Sequence, residues 1–211
     1  MTSSQVHELV VVGVAVCWGV IVVAWIVGAL YNASRGPHGT RRRQAASSAS
    51  SGFVVALITW AILRLLPTSD WHSLVVGTPW VRVLGLAVLI CSTVFTLWAR
   101  VELGTMWSSS PVVKVEHQLR TDGPYRVTRH PIYTGLLGML LGTVLLVGFG
   151  HWLVLLPVGL LLAEIRIHLE EGLMLATFPE AYARYRRQVP QLVPGLHLPR
   201  PRSGDSHGRC A

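Results

Sequence analysis

Long apolar runs separated by short basic stretches set the pattern of this chain. A bilayer core needs about 20 mostly apolar residues per helix. Five runs approach that length. The first extends from Leu9 to Leu30 and carries no charge. The residues before it, Met1 to Glu8, contain no Lys or Arg, so it reads as a retained helix rather than a signal peptide. The second covers Ser48 to Leu66, with Arg64 at its end, and the third covers Trp80 to Trp98, with Arg82 at its start. The fourth covers Ile132 to Phe149. The fifth starts at His151, stays apolar to Ala163 and is predicted to continue as an amphipathic helix to Thr177. The expected fold class is all-α, an integral membrane bundle of five transmembrane helices.

The basic residues orient this bundle. Sixteen of the 18 Lys and Arg fall in three segments: between runs one and two, between runs three and four, and after run five. Arg64 and Arg82 can snorkel at the other face. Positive residues favour the cytoplasmic side, which predicts an outer N-terminus and a cytoplasmic C-terminus in the plasma (inner) membrane. The Arg41 to Arg43 triplet is then a topology signal that could also touch anionic lipid. Three regions follow: an N-terminal three-helix part over 1–101, a region over 102–194 with a helical hairpin and an amphipathic C-terminal helix, and a disordered tail over 195–211. The hairpin turn is only Gly148-Phe149-Gly150. Gly135, Gly138 and Gly142 recur at helical spacing on span four, where small residues allow close helix approach. Pro157 is expected to kink span five.

Composition agrees. Of 211 residues, 51% are hydrophobic and 13% charged, against roughly 25% charged in a soluble domain. The net charge of +8 is better matched by anionic headgroups than by nucleic acid. Three cysteines are too few for a disulfide framework, and no metal-ligand spacing occurs among them or the nine histidines, so no metal is expected.

Candidate chemistry lies in two inner segments, Glu102 to Pro131 and Glu164 to Pro194, which the hairpin brings together. Arg166 and Glu170 are spaced i, i+4 where a helix leaves the hydrocarbon. They read either as a surface ion pair or as site residues, since ionisable groups near membrane depth commonly line a site. His130-Pro131 opens span four, with the imidazole near the positive end of a helix dipole. Tyr182 and Tyr185, among Arg184, Arg186 and Arg187, read as an interfacial segment with a supporting role. No Walker loop, nucleophile elbow or dinucleotide fingerprint is present. Spacing alone leaves the reaction open.

The stretch from Leu119 to Gly135, LRTDGPYRVTRHPIYTG, resembles the GPYRxxRHPxYxG signature of isoprenylcysteine carboxyl methyltransferases and their bacterial relatives. His117-Gln118-Leu119 matches that family's HxL element. Arg166 to Pro190 resembles RxxxEE followed by FGxxYxxY and VP. The resemblance covers Leu103 to Pro194. It implies S-adenosylmethionine as cofactor, bound at the cytoplasmic face by His117, Gln118, Leu119, Arg120, Tyr125, His130, Pro131, Ile132, Tyr133 and Glu170. It assigns Arg166 to the substrate carboxylate, as both the catalytic and the substrate-binding residue. The implied partners are a lipophilic small molecule or prenylated substrate and membrane lipids; no oligomeric state follows. Two departures stand out: Pro179 replaces the usual glycine, and Ser110 stands near a polar cofactor contact of eukaryotic members. Three other readings stay open. One is a phospholipid amine N-methyltransferase with His130 as base. Another is an NADPH-dependent reductase, because sterol reductases share a similar C-terminal signature. The last is a non-enzymatic membrane scaffold.

Overall fold

The computed structural model describes residues 3–35, 40–43, 78–104, 112–114, 119–148 and 152–195. The expected span over Ser48 to Leu66, the residues Ser110, His117 and Gln118, and the tail from 196 onward lie outside the described residues.

Five α-helices organise the described chain: α1 (Ser3–Arg35), α2 (Pro79–Leu103), α3 (Pro131–Val147), α4 (Trp152–Thr177) and α5 (Pro179–Gln188). α2, α3 and α5 each open on proline, whose missing N–H costs nothing in a first helical turn. The family departure at Pro179 is accommodated in this way, as the start of α5. Glycines end two helices. Gly104 (φ +50°) and Gly148 (φ +107°) take backbone angles unfavourable to other residues, and their N–H groups bond to the carbonyls of Val101 and Val144. α4 contains Pro157 and continues from its apolar half into its polar half as far as Thr177, the extent that its sequence predicted.

Among the described residues, the helical stretches Gln5–Tyr31 and Pro79–Leu103 are long and apolar enough to cross a bilayer, and Pro131–Val147 is a shorter apolar helix. Val12, Val16, Val23 and Val27 of α1 and Val83, Ile90 and Val94 of α2 stand exposed, as side chains facing lipid do. The five-span bundle is thus seen in part. The fold also departs from pure helix: β1 (Thr40–Arg43) pairs antiparallel with β2 (Val112–Lys114), setting Arg42 opposite Val113 and Arg43 opposite Val112. Neither four-residue nor three-residue stretch alternates clearly enough to announce a strand.

The tightest packing joins α2 to α3. A Cβ on Gly142 would lie 2.7 Å from the Leu89 backbone nitrogen, and one on Gly85 would lie 3.0 Å from the nitrogen of Leu146. A Cβ on Gly135 would meet Thr96 and one on Gly138 would meet Ser92. The glycine row on α3 therefore serves close approach, with α2 as the main partner rather than the hairpin neighbour α4. Buried Leu89, Met139 and Leu146 continue this contact to Ile21 of α1. The Thr93, Thr96 and Thr143 hydroxyls in this apolar setting bond back to carbonyls one turn earlier, at 2.7, 2.8 and 2.8 Å. Thr143 also accepts a 3.2 Å bond from Trp18 Nε1, tying α1 to α3.

Candidate cofactor and substrate site

Four segments converge where α2 ends, α3 begins and α4 turns polar. The first is the short 3₁₀ turn Gly123–Arg126, which presents buried Tyr125. A Cβ on Gly123 (φ +57°) would come within 3.3 Å of the Glu102 carboxylate near the end of α2. The second is Thr128-Arg129-His130, which leads into α3. The third is the polar half of α4. The fourth is an irregular strap, Val189 to Leu192, that follows α5.

The strap is sewn to the start of α3. The Arg129 and His130 N–H groups donate to the carbonyls of Pro190 (2.9 Å) and Gln191 (3.2 Å). Thr128 Oγ1 donates to Gln191 O at 2.6 Å and Thr134 Oγ1 to Leu192 O at 2.7 Å. The Gln191 side chain reaches Glu164 Oε2 on α4 at 2.8 Å. Backbone groups that have no helix or sheet partner are satisfied in this way.

Within this frame Tyr133 donates a 2.7 Å hydrogen bond to Glu170 Oε1. Arg166 hydrogen-bonds the same tyrosine. His130 lies between two carboxylates, with Nδ1 3.7 Å from Glu170 Oε2 and Nε2 3.5 Å from Glu171 Oε1. Its Nε2 is buried without a hydrogen-bond partner. Glu170 keeps 30% of its side chain exposed, so its free oxygen can still meet a ligand. Tyr125 feels the charges of Glu170, Arg100 and Glu102, although burial is the main reason its phenol is held protonated well above the ordinary value.

Of the residues implied by the resemblance, Tyr125, His130, Tyr133, Arg166 and Glu170 come together here. Pro131 is fully buried as the helix start, and Ile132 is half-buried beside it. Leu119 instead packs in an apolar cluster with Tyr182, Tyr185 and Val189. Arg120 is half-buried, with Nε enclosed and unbonded. Tyr182 and Tyr185 do not point to headgroups. Both are buried, and Tyr185 donates a 2.6 Å bond to the Tyr125 carbonyl, which supports the site from below. Their amphipathic spacing was legible; which face turns inward was not.

Sequence reasoning left Arg129 and Glu171 without roles, yet they form the best-bonded ion pair of the site. Arg129 Nε and Nη2 contact Glu171 Oε1 at 3.0 and 2.8 Å, with both side chains about as buried as core leucines (6% and 5% exposed). Arg129 Nη1 also donates to the carbonyls of Arg186 (2.9 Å) and Val189 (2.8 Å), capping the last turn of α5. Arg186 Nε stands 3.5 Å from Glu171 Oε2. The signal was adjacency: each residue is the immediate neighbour of a named one in the RHP and EE motifs.

One to two turns deeper, an apolar groove of about 440 Å³ opens between α3 and α4. Leu137, Gly138, Leu141, Leu156, Pro157 and Leu160 line it. Tyr133, Leu137 and Leu141 follow one another at i, i+4 on α3, so the groove continues the stripe that begins at the polar cluster.

Residues 80–181 match the family model described as phospholipid methyltransferase. The Protein-S-isoprenylcysteine O-methyltransferase of Schizosaccharomyces pombe is 37% identical over 82 residues, which span 37% of this chain and 34% of that protein. The solved structure of the eukaryotic intramembrane Ras methyltransferase ICMT superposes with a TM-score of 0.55 at 24% identity, covering 69% of this chain and 53% of that one. The chain thus spans about a third of the yeast relative and about half of the solved one. Its fold resembles that of the solved isoprenylcysteine carboxyl methyltransferase, and its sequence is similar to the phospholipid and isoprenylcysteine methyltransferases.

Proposed function

We propose that the protein is an S-adenosylmethionine-dependent membrane methyltransferase that O-methylates the carboxylate of an isoprenylcysteine-like or other lipophilic substrate at the cytoplasmic membrane face. The observation that carries this reading is the junction of the Tyr133, Glu170 and His130 cluster, beside Arg166, with the apolar groove between α3 and α4. A few convergent polar groups at the mouth of an apolar trough suit an amphiphile. The donor set also suits the cofactor. Glu170 is a partly exposed carboxylate able to pair with an ammonium group, and Tyr125, His130 and Tyr133 offer ring surfaces and polar edges around it. His117, Gln118, Leu119, Arg120, Pro131 and Ile132 complete the proposed binding set.

When bound, the cofactor supplies an electrophilic methyl group. The chain's own task is alignment, which can supply much of the rate of such a displacement. Arg166 holds the substrate carboxylate through two parallel charge-assisted hydrogen bonds. That carboxylate is already ionised at neutral pH, so no strong base is required. The basic segments hold the site toward the cytoplasm in a multi-pass plasma-membrane protein.

Amine methylation is the second reading, favoured by the phospholipid methyltransferase match over residues 80–181 and by the place of His130 between two carboxylates. An amine must shed a proton, and His130 would accept it.

A thermal-shift titration in mild detergent tests the reading, because ligands that bind the native state raise its melting temperature. S-adenosylmethionine and S-adenosylhomocysteine are expected to stabilise the protein and NADPH is not. A shift with NADPH alone would replace the methyltransferase with a reductase. Labelled-methyl transfer to a prenylated cysteine or to phosphatidylethanolamine then separates the carboxyl from the amine acceptor.

A further inference from the structure

We infer that Arg129 and Glu171 are positioning residues that set the spacing of His130 and Glu170, a role that rests on the methyltransferase reading above. The sequence order makes the connection direct. Arg129 precedes His130, and Glu171 follows Glu170. The buried pair therefore clamps the two backbone segments that carry the two site residues. Glu171 Oε1 takes both Nε and Nη2 of Arg129, and this fixes α4 against the residues that lead into α3. Arg129 Nη1 carries the clamp onward to the carbonyls of Arg186 and Val189. The strap that begins at Val189 then returns to bond the His130 N–H through Gln191 O at 3.2 Å. His130 is thus held at its backbone by the strap and at its neighbour by the clamp, while its ring makes no hydrogen bond through Nε2.

The clamp leaves the site residues free for a ligand. Glu171 is neutralised by Arg129 and faced by Arg186, so its charge is used inside the protein. Glu170 is bonded to Tyr133 through one oxygen and presents the other toward His130 at 3.7 Å. Two adjacent carboxylates on one helix divide the work: the buried one positions and the exposed one binds. Breaking the pair on one side only would strand a buried charge, whereas replacing both partners with apolar residues of similar volume removes that penalty.

The test compares wild type, Arg129→Met/Glu171→Leu and Glu171→Gln in mild detergent. Each is assayed for unfolding temperature, for S-adenosylhomocysteine affinity by calorimetry, and for cofactor KM and kcat. The double variant is expected to fold and to bind the ligand at least about tenfold more weakly. Its cofactor KM should rise while kcat at saturation changes by less than about threefold. A purely structural pair would leave KM unmoved in a folded variant. A folded double variant with wild-type affinity overturns the inference. If the double variant does not fold, Glu171→Gln decides: it keeps the side chain's shape but removes the charge that holds Arg129, so affinity is expected to fall at least about threefold, and unchanged affinity there overturns the inference equally. Wild type that binds no S-adenosylhomocysteine removes the methyltransferase reading first, an outcome distinct from a variant that binds as well as wild type.

Discussion

The hydroxyl of Tyr133, in the first turn of α3, donates a 2.7 Å hydrogen bond to Oε1 of Glu170 on α4 and so links the two arms of the hairpin at the candidate site. The bond occupies one carboxylate oxygen and leaves the other toward His130. A hydrogen bond to a charged acceptor contributes roughly 1.5–3 kcal/mol when buried, and less where solvent competes. Tyr133→Phe keeps the ring and removes the donor. S-adenosylhomocysteine affinity is expected to fall about tenfold, or about 1.4 kcal/mol, with little change in unfolding temperature. Calorimetric titration checks this, and equal affinities would show that Glu170 is oriented by other neighbours.

Arg166 makes a different demand. It sits on the same α4 surface as Glu170, one turn earlier, and reaches Tyr133. If it holds the substrate carboxylate, its loss acts on the acceptor and not on the cofactor. Arg166→Ala is expected to lower kcat/KM for a prenylcysteine acceptor about 100-fold or more, while S-adenosylhomocysteine affinity changes little. Arg166→Lys should recover only part of the loss, because an ammonium cannot match a carboxylate with two parallel bonds. Full turnover in Arg166→Ala would remove the residue from the mechanism.

The α2–α3 interface gives a test of the fold alone. A methyl group at Gly142 would press on the Leu89 backbone at 2.7 Å, and backbone cannot give way cheaply. Gly142→Ala should destabilise the protein by about 1–3 kcal/mol through overpacking. Gly172→Ala on α4 is the control, because nothing lies within 4 Å of its Cβ position. It should be neutral or stabilising by up to about 1 kcal/mol from helix propensity. Unfolding temperatures measured side by side distinguish glycines that pack from glycines that merely occur.

These contrasts mark what the chain could reveal before it folded. Apolar length disclosed where α1, α2 and α3 lie, because burial in lipid depends on local composition, but the helices α1 and α2 run about a turn or more past the apolar runs that announced them. The family resemblance of the RHPxY and RxxxEE motifs grouped His130, Tyr133, Arg166 and Glu170, and the fold brings these four side chains together. The partner of the glycine row was not legible, because Gly135 and Gly142 announce close approach but not to which helix. The Arg129–Glu171 clamp and the strap over His130 join residues more than 40 positions apart, and no local period encodes such pairs. The ribbon that sets Arg42 opposite Val113 was invisible for the same reason.

Alkaline pH should probe the layer beneath the site. Burial, more than any neighbouring charge, pushes the phenols of Tyr125, Tyr182 and Tyr185 above their ordinary value; for Tyr182 the Glu171 carboxylate adds to it. A phenol whose folded value exceeds its unfolded value contributes stability that is fully present below about pH 10 and is lost as pH rises toward the folded value. Unfolding temperature should therefore hold steady from pH 7 to 9 and fall above pH 10, as stability drops by on the order of 1 kcal/mol per pH unit for each such group. Tyr182→Phe should flatten part of that fall. Tyrosinate absorbance that develops fully near pH 10 in the folded protein would contradict the burial argument.

The groove between α3 and α4 can be tested by filling it. Leu137 lines it from α3 and Leu160 from α4. Leu160→Trp adds a ring to a space of about 440 Å³ without touching Tyr133, Glu170 or His130. If the apolar part of the substrate lies there, KM for a long-chain acceptor should rise about tenfold or more, since each excluded methylene forfeits about 0.8 kcal/mol. A short-chain acceptor should be affected less, and S-adenosylhomocysteine affinity should stay at the wild-type value. That pattern separates the tail path from the cofactor site. Equal losses for short and long acceptors would place the tail on another face of the bundle, where the exposed valines of α1 and α2 meet the bilayer.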